Sequence, residues 1–278
     1  MNSFLKSKFC LFAFTILSTI SQLGAIIPDF VSPTSRTTAI RSEWNNLMRS
    51  TQAKGFLHKN CPTICIDSKN MPILYSKCTD LTDKLKIATP MIIAVKRNHI
   101  TNIASFLHVD FQCNAFAAGV KTKQTCLSAI CIGVDLLENL TDSEIETIIA
   151  HELQSINHNH IAKKLLAYSI AGGLVVAGLW NTSGFGGFVT VGSMFSLMLG
   201  ALSQGFVIQA DVDAALLTEK PCDLANALYK KILIKANKLT LAKWAFSLIS
   251  FNPLLRTRVK KLDEIAKAID IETTVVAA

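Results

Sequence analysis

Charge is scarce in this sequence: only 17% of its 278 residues are Asp, Glu, Lys or Arg, and from Leu165 to Ala210 there is none. The 28 basic residues outnumber the 20 acidic ones, yet they are scattered and have few aromatic residues between them. A nucleic-acid surface needs a basic stripe with stacking aromatics, so that class of partner is set aside. The two denser groups, Arg256 to Lys261 and Lys230, Lys231, Lys235 and Lys238, fit the solvated faces of C-terminal helices. Also missing is a second Cys or His pair to complete the CxxxC of Cys61 and Cys65. A finger-type zinc site therefore has no second half, and disulfide bonding or burial is the reading for these thiols. The apolar run at the front, Phe9 to Ile20, is short for a helix that spans a bilayer.

What is present is an apolar chain, 50% hydrophobic and long enough for one well-buried domain plus an extension. Residues 1–25 read as a signal peptide: Lys6 and Lys8 precede the apolar run, and Leu23, Gly24 and Ala25 offer a cleavage point. That implies an exported, periplasmic or secreted protein, with an uncleaved membrane anchor as the alternative. Seven of eight cysteines lie beyond Ala25, and an oxidising compartment would pair most of them. Residues 26–84 form an N-terminal extension, with Trp44, Leu47 and Met48 at near-helical spacing on one amphipathic helix expected to pack on the main domain. Phe111 to Val120 and Cys126 to Val134 are β-prone runs around the polar turn Lys121 to Gln124, so a hairpin is expected there. Cys113 and Cys131 are candidates for a cross-strand disulfide in it.

The uncharged stretch holds nine of the thirteen glycines. Leu165 to Trp180 and Phe188 to Ile208 read as a helical hairpin, either spanning a membrane or buried or touching one; the first run is shorter than the roughly 20 residues a span requires and the second holds polar Ser and Gln, which weighs against spanning. Possible membrane contact is thus assigned to 165–208.

The chemistry concentrates in Leu140 to His160, LTDSEIETIIAHELQSINHNH. Thr141 and Glu144 make a capping box, and isoleucines at 145, 148, 149 and 156 with Leu153 recur at helical spacing. His151, Glu152 and Ser155 then sit close together on neighbouring turns. An HExxH helix aims two histidines at one zinc ion and uses its glutamate to polarise the attacking water. Here the motif is HELQS, and the hydroxyl of Ser155 is too weak a donor to replace imidazole. Continued as a helix, the chain would carry His158 about 10 Å along the axis and turn His160 to the opposite face.

Four segments in order, NAFAAG from Asn114, IGVDLLENLTDSEIETIIAHELQSINHNH from Ile132, Ala210-Asp211 and NPLLRTRV from Asn252, resemble the HtpX and CAAX-prenyl-protease family of zinc metallopeptidases. Its soluble periplasmic members are closest in layout. The resemblance implies an α+β fold, a mostly helical zincin-like metallopeptidase domain over 85–270 with a small sheet or hairpin beside the HExxH-type helix, and a tail at 271–278. It also implies a site: His151 as a remnant zinc ligand, Glu152 as a remnant general base, and Ser155 and Val207 at substituted ligand positions. Asp211 is assigned as a group orienting the site or as a substitute ligand, and Asn114, Ala115, Phe116 and Ala117 as a substrate-binding strand. Asn114 is equally readable as a residue that satisfies the backbone of a turn. With one donor left of three, zinc binding is expected to be weak or absent. The favoured function is a degenerate pseudopeptidase that binds extended peptides or membrane-associated, envelope protein clients; the alternative is an active zinc endopeptidase with an altered ligand set.

Overall fold

A computed structural model describes residues 38–50, 63–95, 115–121, 126–164, 166–167, 169–170, 185–236 and 255–276. All of them lie in one compact unit, Thr37–Ala278. The signal-like residues 1–25, Asn114, Cys61, Cys113 and residues 171–184 of the expected apolar hairpin fall outside the described residues, while 185–187, expected in its turn, are helical.

The chain opens with helix α1 (Ala39–Arg49), capped by the Thr38 hydroxyl and burying Ile40, Trp44 and Leu47. This is the amphipathic helix expected from the Trp44 pattern. Strand β1 (Thr63–Ile66) and helix α2 (Pro72–Leu85) follow, neither anticipated from the sequence. Proline at the first turn suits the start of α2, where an amide lacks an intrahelical acceptor in any case. The helix ends at Lys86, whose left-handed φ of 53° turns the chain toward β2 (Met91–Val95).

The expected hairpin is β3 (Ala115–Lys121) and β4 (Cys126–Gly133), paired antiparallel. The sheet order is β1-β2-β4-β3, with β2 and β4 parallel and the other pairs antiparallel. Period-two alternation buries Ile66, Ile92, Ala94, Ile130, Ile132, Ala115 and Ala117 on one face, while Cys65, Ile93, Cys131 and Phe116 share the other. The register sets Phe116 opposite Cys131, and Cys131 is free, as are Cys65, Cys78 and Cys222. The proposed Cys113–Cys131 disulfide is thereby corrected, and the expectation that most thiols are paired fails for these four. Burial pushes the Cys78 thiol up to about 12.

A short helix, α3 (Val134–Asn139), leads into α4 (Asp142–Asn157), which lies against β3, β4, α1 and α2. Helix α5 (Phe185–Thr218) runs as one piece through the second half of the uncharged stretch and packs on α4. Helices α6 (Pro221–Ala236) and α7 (Leu255–Val276) close the helical side. Among the described residues no helix is long and apolar enough to cross a membrane. Leu166, Ile170 and Leu202 are nonetheless exposed, so these parts of the stretch are not interior.

Candidate functional site

Helix α4 carries the site because its ends and its inner face are fixed independently. At its start the capping box is complete: Glu144 N donates to the Thr141 hydroxyl, and Thr141 N donates to Glu144 Oε2 at 2.8 Å. Along its first turns Lys77 and Lys220 converge on Glu146, Lys230 reaches Glu144, and Ser143 donates to Asp223. Burial pushes the Glu146 carboxyl up, but hydrogen bonds from the two lysines override it and hold the group below its ordinary value. Ile145, Ile148, Ile149, Leu153 and Ile156 are buried. The stripe read from the sequence therefore faces the core, and His151, Glu152 and Ser155 follow from it.

His151 Nδ1 lies 2.9 Å from Asp211 Oδ1 on α5. The separation is that of a hydrogen bond, but the ring N–H is out of line with the oxygen, so the pair is a close polar contact rather than an aligned bond. Asp211 is 1% exposed and takes a two-pronged bond from Arg258 of α7, Nε to Oδ2 at 2.5 Å and Nη2 to Oδ1 at 2.6 Å. Burial acts to raise its carboxyl, while the His151 charge and the Arg258 guanidinium more than reverse that, leaving it at about 2. It remains ionised at neutral pH. The contact with His151 fixes the register of α5 against α4: Asp211 faces the site, and Val207, one turn earlier, is half-buried on the same side.

Glu152 is 7% exposed, and its Oε2 accepts a 2.7 Å hydrogen bond from the backbone N–H of Ala117 in β3. The remnant base and the strand matching NAFA are therefore in direct contact. Two further groups sense the Glu152 charge. Burial first, and then this carboxylate, push the Cys131 thiol up, so it stays protonated; burial pushes the Lys164 ammonium down while Glu152 opposes the fall. The sequence singled out Cys131 only as a disulfide candidate and Lys164 not at all, because nothing in a Cys on a strand or a Lys past a helix end marks it as a neighbour of Glu152.

The reading of His160 needs correction. Helix α4 ends at Asn157, His158 caps it and Asn159 takes a left-handed φ of 52°, so positions beyond cannot be projected along one axis. His160 is 2% exposed and stacks on His158 and on Phe206 of α5, with its Nε2 lacking a partner. His158 Nε2 lies 2.9 Å from Asp213 Oδ2. The helix end is thus tied to α5 by two histidine–aspartate contacts, His151 with Asp211 and His158 with Asp213. Arg258 was inside a recognised segment but had no assigned part; its bond to Asp211 spans 47 residues.

A catalytic zinc ion takes about three protein donors and a water. Of the positions that would supply them, His151 offers an imidazole, Ser155 a hydroxyl and Val207 only methyl groups. Asp211, the candidate substitute, has both oxygens engaged by Arg258 and His151. The donors do not fit the ion. Among the described residues no group of three or more His, Cys, Asp or Glu side chains is arranged to hold a metal.

Comparison with known proteins places residues 77–266 within the profile of peptidase family M48. Protease HtpX homolog 1 of Streptomyces coelicolor is 31% identical over 135 residues, 42% of this chain and 43% of its own length. Protease HtpX homolog of Sulfurovum sp. is 32% identical over 142 residues, 46% and 50% of the two chains. That of Thermococcus sibiricus is 26% identical over 186 residues, 59% and 58%. The chain spans about half the length of the curated relatives it matches. The crystal structure of S. mikatae Ste24p aligns with 80% of this chain and 55% of its own, with a TM-score of 0.44 and 16% identity.

Proposed function

The chain belongs to peptidase family M48, and from that premise we propose that it is a degenerate member acting by binding rather than by hydrolysis. Its ligands are extended peptides, presented by envelope or membrane-associated protein clients, and they lie along the β3 side of the site. The observation that carries this reading is the contrast between framework and donors. The His151–Asp211–Arg258 group that would orient a metal-bound imidazole is present, with Asp211 buried at its centre. Two of the three donors it would serve are Ser155 and Val207. Without a metal-bound water Glu152 has nothing to activate, and its carboxylate is engaged by the strand instead. The signal-like front of the chain and the exposed Leu166, Ile170 and Leu202 in the uncharged stretch support placement in the envelope with membrane contact.

The test is metal content of the purified protein beside the double variant Ser155→His with Val207→Glu. The parent should hold much less than one zinc per chain. The variant restores three donors around Glu152 and should take up zinc, with a thermal stabilisation that grows with free zinc by mass action. Stoichiometric zinc in the parent, lost on His151→Ala, would establish the altered-ligand enzyme instead. A folded double variant that takes up none would mean that position 207 does not face His151.

A further inference from the structure

We propose that Glu152 holds the outer edge of β3, along which the reading above lays an extended peptide, closed by occupying the Ala117 N–H. This rests on the peptide-binding reading above and deepens it by naming the residue that an arriving peptide has to displace.

The backbone geometry leads there. Ala117 stands opposite Ile130 in an antiparallel ladder. In such a ladder opposed residues either exchange both backbone bonds or direct both groups outward, in alternation. The Ala117 N–H goes to Glu152, so Ala117 belongs to the outward set, and so does Ala115 two positions away. Among the described residues β3 is the last strand of the sheet. The outward row is short, because Gly119 has a φ of 127° and departs from extended geometry. An edge with no further strand beyond it among the described residues is a template for strand addition, in which main-chain bonds supply the attraction. The occupant is therefore a strand, whose carbonyl would take the place now held by Glu152 Oε2.

On so short an edge one occupied donor matters. A hydrogen bond to an ionised carboxylate is about twice as strong as one between neutral groups, and a peptide carbonyl offers only the neutral kind. Exchange thus costs affinity unless the displaced carboxylate finds another partner. Lys164 is a cation whose ammonium senses the Glu152 charge. Glu152 in this arrangement is a positioning residue that sets the threshold for docking.

The experiment is fluorescence anisotropy with a short, labelled, uncharged β-prone peptide in buffer containing EDTA. It compares the parent chain, Glu152→Ala and Glu152→Gln, with thermal melts to confirm folding. Glu152→Ala frees the Ala117 donor and should bind about tenfold more tightly, the effect of one competing bond. Glu152→Gln keeps a neutral carbonyl acceptor at the same reach and should fall between the two. If the alanine variant does not fold, the tightening in the glutamine variant alone decides. Equal affinities in all folded forms, or weaker binding by the variants, would overturn the closure by Glu152 while leaving peptide binding in place. No binding by any form would overturn the peptide-binding reading itself.

Discussion

At the scale of single residues the site turns on Asp211, which is buried, ionised and shared. Its charge is acceptable in the interior because Arg258 forks onto both oxygens and His151 lies beside it. Removing one member of a buried ion pair leaves the other uncompensated, which costs about 3–5 kcal/mol. Arg258→Ala should therefore lower the unfolding free energy by about 3 kcal/mol, read from urea denaturation at pH 7. Arg258→Lys should recover only part of that loss, since an ammonium cannot fork. A loss below 1 kcal/mol in the alanine variant, on the order of a surface pair, would mean that Asp211 has another counter-charge. How much of this was legible is uneven. His151, Glu152 and Ser155 could be read because helical spacing alone brings them together. Asp211 needed the family resemblance, and its tie to Arg258 is a contact between remote helices that no local pattern encodes.

At the scale of elements the same division recurs between local and remote caps. The capping box of α4 was visible because Thr141 and Glu144 are three residues apart. Invisible was the second service of that turn: Asp142 accepts the first two amides of α1, Ala39 N at 2.9 Å and Ile40 N at 3.0 Å, from about a hundred residues away. Glu43 of α1 in turn accepts from Ile73 and Leu74 at the start of α2. Carboxylates near helix N-termini gain from both the orphan amides and the dipole. These caps, with buried Trp44, are what dock α1 on the domain. Asp142→Ala should cost about 1–2 kcal/mol, the size of a lost cap. Hydrogen exchange should speed up at Ala39 and Ile40 while the middle of α4 stays protected. Unchanged exchange at those two amides would show that Thr38 and solvent suffice to cap α1. Strand β1 and the parallel pairing of β2 with β4 went unread for a related reason: a four-residue strand carries too little pattern, and strand order is set by tertiary contacts.

At the scale of the whole molecule the mixed α+β architecture followed from periodicity and resemblance, whereas the break after Asn157 did not, since HNHIAKK has no proline or glycine to announce it. That break buries His160 between His158 and Phe206, and its consequence reaches global stability. Burial, then the charges of His158, Lys163, Lys164 and His151, lower its imidazole from 6.5 to about 4. The unfolded chain takes up this proton more readily than the folded one, so the neutral ring contributes stability above pH 6.5, and that contribution is lost as pH falls toward 4. That fall corresponds to at most about 3 kcal/mol. Asp211, held at about 2, titrates below this window and does not blur it. Urea midpoints measured from pH 7.5 to 4.5 should therefore decline in the parent chain, and His160→Leu, which keeps an apolar group against Phe206, should flatten the decline. Parallel slopes for parent and variant would show that His160 takes up its proton without penalty in the folded state, and that the histidine stack is open to water.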